Sequence, residues 1–433
     1  MIDRDLVNTI RLPYSTPELH VRPTVDGNDI AHALASLAVE RTTGADTTLR
    51  LFVAGKRDTG PDYAQLFPRD LLMALYALGD DVKPEKWRDV LEFCCLTQGK
   101  STDPVTGEEK GKIIHQDPSP FNEHNGLSYR FSATDTTPFM LVGFGEYVRL
   151  TGDVDFVKMH EKEIEYAYDW LKRHTRHGLV WDDPTLYGAT QSAALAGYFR
   201  DGGFHEVPVH FLEYPATYAN VNALSVAALR SLASFRRQNL LPHLPCAREL
   251  DTEADRTARA LSRQLWLPGK STLGAAMHGD GRVLQTRYAD PVWSSYFLEE
   301  RDFSVSQWNG MFETIESLST PWGIANHEPM LGYEERDTSH MAQVEQVVWP
   351  IETAFSIMLA DKHGRHDIVE NNLGVYDFLS TQATPFKEAI PLVEEEPMMF
   401  GCDLQLWTVA TMSRCLRMKP PMALSAAPQT AGI

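Results

Sequence analysis

The chain has 433 residues, 43% hydrophobic, 10% aromatic and 23% charged, which is enough apolar material for a large core and excludes disorder as the main state. Lys and Arg number 40 against 59 Asp and Glu, a formal charge of −19 that would repel a nucleic-acid backbone or an anionic membrane surface. Neutral, polar small molecules are the partners that fit this balance.

The start, Met1-Ile2-Asp3-Arg4-Asp5, carries acid where a signal peptide needs basic and then apolar residues, and no run is apolar enough to span a membrane. Five cysteines, Cys94, Cys95, Cys246, Cys402 and Cys415, lack metal-type spacing and read as reduced thiols. A cytoplasmic protein without a metal is expected.

Helical periodicity dominates the chain. From Asp70 to Leu78, Leu71, Leu72, Ala74, Leu75, Ala77 and Leu78 wrap one helix face. Thr136-Thr137-Pro138 opens the next helix, with threonines suited to the cap and Pro138 to the first turn. It runs through Phe139, Leu141, Val142, Phe144 and Val148 and stops at Thr151-Gly152-Asp153. Further helices are predicted at 158–174, 220–237, 253–265, 305–318, 349–363, 367–380 and 404–416.

The intervals 100–130, 180–215, 266–300 and 319–348 are rich in Gly, Pro, Asp, Asn, His and aromatics, and loops of such length are mostly functional. Roughly a dozen helices, at about 36 residues per helix and loop, can bury one another as inner and outer rings. The expected fold class is all-α, and a single (α/α)6 barrel over residues 1–418, with long loops at one mouth, is one arrangement that buries such helices. Residues 419–433 read as a loose tail.

Polar residues recur where loops enter apolar helices. Leu66-Phe67-Pro68-Arg69-Asp70 is one such place: Asp70 either caps its helix with Arg69 as partner, or both grip hydroxyls. Others are Gly111-Lys112-Ile113-Ile114-His115, Asp135-Thr136-Thr137-Pro138-Phe139, Trp181-Asp182-Asp183, Phe199-Arg200-Asp201-Gly202 and Ala219-Asn220-Val221-Asn222. Val348-Trp349-Pro350, Phe386-Lys387-Glu388 and Gly401-Cys402-Asp403-Leu404-Gln405-Leu406-Trp407-Thr408 complete the series. Aromatic faces that stack on pyranose C–H groups, with carboxylates and amides for the hydroxyls, are what sugar binding requires.

The order of these segments resembles bacterial amylo-α-1,6-glucosidase and glycogen-debranching-type proteins, within the (α/α)6-barrel glycoside hydrolases. The family's AG and FGRD motifs look like Ala54-Gly55 and Phe67-Pro68-Arg69-Asp70, with Pro in place of Gly. Its GKI-L/I-H and DATPLF motifs look like Gly111 to His115 and Asp135 to Phe139, followed by a TGD at Thr151. Its WKDS-type, VWP and GCPxQAWS motifs resemble Phe199 to Gly202, Val348 to Pro350 and Gly401 to Thr408, so the likeness spans residues 51–412.

Carried over residue by residue, the resemblance implies Asp201 as general acid, with Asp182 and Asp183 as rivals. It implies Glu388 as the base, with Glu394, Glu395 and Glu396 also in range. Substrate contacts would come from Arg69, Asp70, His115, Asp135, Trp181, Asn220, Asn222, Trp349, Gln405 and Trp407. One departure stands out: relatives often carry a Glu in a VEVQ or VEIN stretch where this chain has Ala219-Asn220-Val221-Asn222. That change points away from a branched glucan.

The implied reaction is hydrolysis with inversion, one carboxylic acid protonating the leaving oxygen while a carboxylate across the ring activates water. No cofactor is required. Little sequence precedes the Ala54-Gly55 segment, so the expected substrate is a small α-glucoside or oligosaccharide attacked from its end. Three other readings share the barrel. One is a cyclase or lyase, although a lyase acting on uronic acids would want a basic, anion-binding cleft, against which the charge of −19 argues. A sugar epimerase would need paired histidines from among His115, His205, His210, His327 and His340. A silent carbohydrate-binding protein would keep affinity without turnover.

Overall fold

The computed structural model describes residues 25–42, 48–56, 65–119, 121–122, 127–128, 130–183, 205–206, 210–212, 214–328, 347–380, 385–392 and 402–418. Thirteen α-helices lie among them. They are α1 (Gly27–Leu37), α2 (Pro68–Leu78), α3 (Pro84–Thr97), α4 (Thr136–Thr151), α5 (Val154–Met159), α6 (Glu161–His174) and α7 (Ala219–Arg237). There follow α8 (Ala247–Gln264), α9 (Asp290–Ser294), α10 (Val305–Leu318), α11 (Pro350–Lys362), α12 (His366–Ser380) and α13 (Leu406–Met418).

Local chemistry sets several helix starts. Asp26 accepts from the backbone N–H groups of Asn28 and Asp29 while the Asp29 carboxylate accepts from the Asp26 N–H, a reciprocal cap on α1. Ser304 and Gln307 do the same for α10. Proline, whose missing N–H costs nothing in a first turn, opens α2, α3 and α11. The Thr136-Thr137 pair serves differently from the expected cap. Asp135 is the N-cap residue, Thr136 donates to the Ile113 carbonyl, and Thr137 accepts from the Ile113 N–H. The two hydroxyls thus lace the Gly111–His115 segment to α4.

Helices α2, α4, α7, α9, α11 and α13 pack in sequence, and α13 returns against α2, so the inner ring closes. The outer helices lie against it: α3 on α2 and α4, α6 on α4, α8 on α7, α10 on α9, α12 on α11 and α13, and α1 on α13. The first and last inner helices, α2 and α13, run parallel. Gln405 meets Asp70 at the N-terminal ends of α13 and α2, while Arg417 donates to the Leu78 carbonyl at their C-terminal ends. At the other end of the barrel from the N-termini, a groove of about 560 Å³ lies between the C-terminal halves of α4 and α7.

Below the ring of N-termini the barrel axis is filled by aromatic side chains. Tyr76 and Phe139 stack at 5.7 Å between centroids, and Phe297 meets both edge-on at 5.2 and 5.5 Å. Phe355 continues the cluster against Phe297, Tyr296 and Trp293. Edge-to-face packing of this kind adds to the apolar burial. The mouth is therefore the top of a stoppered barrel and not the opening of a channel.

The long loops carry short strands that knit the mouth together. Thr175–Arg176, Leu179–Asp182, Ala216–Tyr218 and Ala276–Met277 form a four-stranded antiparallel sheet leading into α7. Leu404–Gln405 pairs with Gly55–Lys56, bringing the last inner helix onto the early Ala-Gly segment. A side chain at Gly55 would collide with Cys402 and Gln405, which accounts for glycine there. No helix among the described residues is long and apolar enough to cross a membrane.

Candidate functional site

Each inner helix presents a polar side chain at its N-terminal end, and most of these are buried. Arg69 and Asp70 open α2, Asp135 stands at the N-cap position of α4, Asn220 begins α7, Asp290 begins α9, Glu352 lies in the first turn of α11, and Gln405 precedes α13. The sequence reading missed Asp290 and Glu352, each 1% exposed. A signal was there: Pro350-Ile351-Glu352 repeats the Pro68-Arg69-Asp70 pattern, proline at the first helical position and a carboxylate at the third.

Arg69 and Asp70 do not pair in the way the cap reading required. The N-cap residue of α2 is Phe67, which makes no side-chain cap bond. Arg69 instead donates from Nε and Nη2 to the two carboxylate oxygens of Asp135, at 2.6 and 2.8 Å. This fork geometry is the strongest form of such a pair, and here it is buried. Asp70 accepts from Gln405 Nε2 at 2.9 Å.

Burial pushes the Asp70 carboxyl up to about 7, against the pull of Arg69, its own backbone and Gln405, and Asp135 adds to the rise. A group whose folded pKa is raised binds its proton more tightly in the native state than unfolded. Between about 4 and 7 stability therefore falls as pH rises, and the loss is complete above that window. Asp70→Asn keeps an acceptor for Gln405 and removes the titration. Its melting temperature relative to the wild type should accordingly rise more at pH 8 than at pH 4, measured by calorimetry.

His115 lies beside this pair. Its Nδ1 meets Ser132 Oγ at 3.1 Å and its ring packs edge-on to Phe67 at 5.3 Å. Burial first, and the Arg69 guanidinium second, lower its pKa to about 3, so the ring is neutral near pH 7. Gly111, at the head of the same motif, has φ +91° and lies against the Tyr166 carbonyl, leaving no room for a Cβ.

Behind the mouth runs a buried ionic network. Glu109 meets His174 Nε2 at 2.8 Å and Lys112 Nζ at 3.9 Å, and accepts from Trp170 Nε1 at 3.3 Å. Burial alone would raise the Glu109 carboxyl, but the His174 bond and the Lys112 charge outweigh it and hold it low. Asp182 faces the same network, and burial raises it to about 6 while Lys112 and His174 oppose the rise. Its neighbour Asp183 is paired with Arg176 at 2.7 Å. The Trp181 indole donates to the Arg176 carbonyl, so its polar edge is spent within the protein.

Asn220 and Asn222 serve opposite purposes. Asn222 donates to Thr217 Oγ1 and the Tyr218 carbonyl and accepts from the Val180 N–H, at 2.8, 2.7 and 2.8 Å. It fastens α7 to the sheet. Asn220 has no such duty. Trp349, the N-cap residue of α11, meets Trp407 of α13 edge-on at 6.0 Å, bringing those two helix ends together.

Glu388 lies in the loop between α12 and α13. Its Oε2 accepts from the Cys402 N–H at 2.8 Å, and its own N–H donates to the Cys402 carbonyl at 2.9 Å. The carboxylate is thereby tied to the segment that delivers Gln405. Asp201, Glu394, Glu395, Glu396, His340 and the tail 419–433 lie outside the described residues. Glu161, Glu165 and His243, on the outer wall, bring one potential metal-ligand atom each within 4.8 Å of one another. Among the described residues, no mouth carboxylate belongs to such a group.

No protein-family model matches the sequence, and no curated protein matches it. Solved structures do. Neutral trehalase Nth1 from Saccharomyces cerevisiae superimposes with a TM-score of 0.60 at 11% identity, over 88% of this chain and 76% of that one. The GH63 mannosylglycerate hydrolase from Thermus thermophilus, in complex with glucose, gives 0.58 at 12% identity, over 90% and 99%. A GH78 family rhamnosidase of Bacillus sp. GL1 gives 0.52 at 16% identity, over 92% of this chain but 36% of that larger one. At such identities the likeness establishes the fold: this chain is an (α/α)6 barrel of the kind found in these glycosidases.

Proposed function

We propose that the protein is an inverting glycoside hydrolase that removes a terminal sugar from a small α-glucoside or oligosaccharide. The observation that carries this reading is the mouth: inner-helix ends bearing carboxylates and amides converge above an aromatic stopper. A mouth closed from below in this way would admit one end of a sugar chain. The relatives in fold add weight, since a trehalase and a mannosylglycerate hydrolase both split short glycosides by their names.

In this mechanism Asp201 protonates the leaving oxygen and Glu388 deprotonates the attacking water from the opposite face of the ring. Inverting carboxyl pairs stand roughly 6.5–9.5 Å apart to admit that water. Asp70, Gln405 and Trp407 would hold the ring, with Trp349 at the rim. Asp135 and Arg69 would act mainly by fixing the end of α2, because their hydrogen bonds are spent on each other. Neutral His115 would take a hydroxyl.

The test is product release from a panel of α- and β-glucosides, α-1,4- and α-1,6-linked disaccharides, trehalose and mannosylglycerate, with the anomer read by proton NMR. One monosaccharide released with inverted configuration supports the reading. Retention of configuration refutes the mechanism, and binding with no release refutes hydrolysis.

A further inference from the structure

Asn220 is the second residue of α7 and is 1% exposed, yet among the described residues neither its Oδ1 nor its Nδ2 reaches a hydrogen-bonding partner. An amide buried in this state carries the desolvation cost of each group left unmet. Native proteins rarely tolerate that without a ligand or a water to meet it.

Its direction follows from Asn222. Residues two apart on an α-helix point about 200° apart. Asn222 faces the strand Leu179–Asp182, through its bonds to Val180, Thr217 and Tyr218. Asn220 therefore faces the other way, from the N-terminal end of an inner helix into the mouth. Among the described residues, Gln405 Oε1 and Trp407 Nε1 at the mouth are likewise buried without a partner. All three residues are neutral.

An amide with both ends unmet is matched by two adjacent hydroxyls, one donating to Oδ1 and the other accepting from Nδ2. A carboxylate at this position could only accept. We propose that Asn220 is a specificity-determining residue that reads a pair of neighbouring hydroxyls on an uncharged hexose. The inference rests on the glycosidase reading and narrows its substrate to sugars with that diol intact.

The experiment is isothermal titration of the full chain with D-glucose and each of its monodeoxy analogues, for the wild type, Asn220→Ala and Asn220→Leu. The wild type should bind one deoxy sugar, or two with adjacent positions, about tenfold or more weakly than glucose, as for loss of a hydrogen bond. Both variants should lose glucose affinity by a similar factor and cease to distinguish those analogues. Asn220→Leu should melt no lower than the wild type, because an apolar side chain removes the unmet amide. A role in folding alone would lower its melting temperature instead, and that result would overturn the proposal. Undiminished discrimination between glucose and its deoxy forms in the variants also overturns it, while leaving hydrolysis untouched. A wild type that binds none of these sugars overturns this proposal and the α-glucoside reading together.

Discussion

Asp201→Asn is expected to slow hydrolysis of a disaccharide by about 10²–10⁴-fold while sugar binding survives, the range over which a positioned general acid acts. The reason is the leaving group. A sugar alkoxide is a poor one and needs a proton as the bond breaks, whereas fluoride departs without one. The same variant should therefore hydrolyse a glycosyl fluoride of matching anomer at close to the wild-type rate. Glu388→Gln should fail on both substrates, because water must be deprotonated whichever group leaves. Steady-state kinetics on the two substrates separates the roles. If Asp182→Asn shows the fluoride rescue and Asp201→Asn does not, the acid is Asp182, whose carboxyl burial already raises to about 6. If Glu394→Gln, Glu395→Gln or Glu396→Gln is the inactive variant, the base lies there instead of at Glu388.

The largest expected loss of stability is at the Arg69–Asp135 pair. Asp135→Ala leaves a guanidinium buried without its carboxylate, and breaking a buried pair from one side costs about 3–5 kcal/mol. Replacing both partners, as Arg69→Met with Asp135→Leu, should recover most of that, since no charge is then stranded. Urea unfolding of the single and double variants measures the difference. A single-variant loss of under about 1 kcal/mol would mean that the pair behaves like an exposed one. The pair also sets the field around Asp70, because Asp135 contributes to the rise in its pKa. Removing Asp135 should bring that carboxyl down and weaken the pH dependence of stability attributed to it.

Most helices were legible, because a buried face repeats with the helical period whatever the partner. Helices α4, α7, α10, α11 and α12 begin and end within a residue or two of the predicted spans. Helix α3 was missed although Trp87, Val90, Leu91 and Cys94 recur at helical spacing and are all buried. Helix α9 has five residues, too few to display a period. Its Asp290 went unread for the same reason. Glu352 was hidden differently, inside an α11 so thoroughly buried that polar and apolar faces do not separate.

The sequence by itself determined the chemistry available at the mouth: which helices begin with a carboxylate, an amide or a tryptophan, and that twelve or so helices must share one core. Tertiary structure alone decided which of these groups meet. Arg69 could have paired with Asp70 beside it, but helix geometry sends neighbouring side chains about 100° apart, and Asp135 on the adjoining inner helix takes the guanidinium instead. Gln405 reaches Asp70 across 335 residues of chain because the last inner helix closes against the first. It likewise decided that Asn222 is spent on the sheet while Asn220, two residues away, stands buried with its amide unmet. Spacing along a helix is local and can be read directly. Pairing across a closed ring depends on six helices taking their places together.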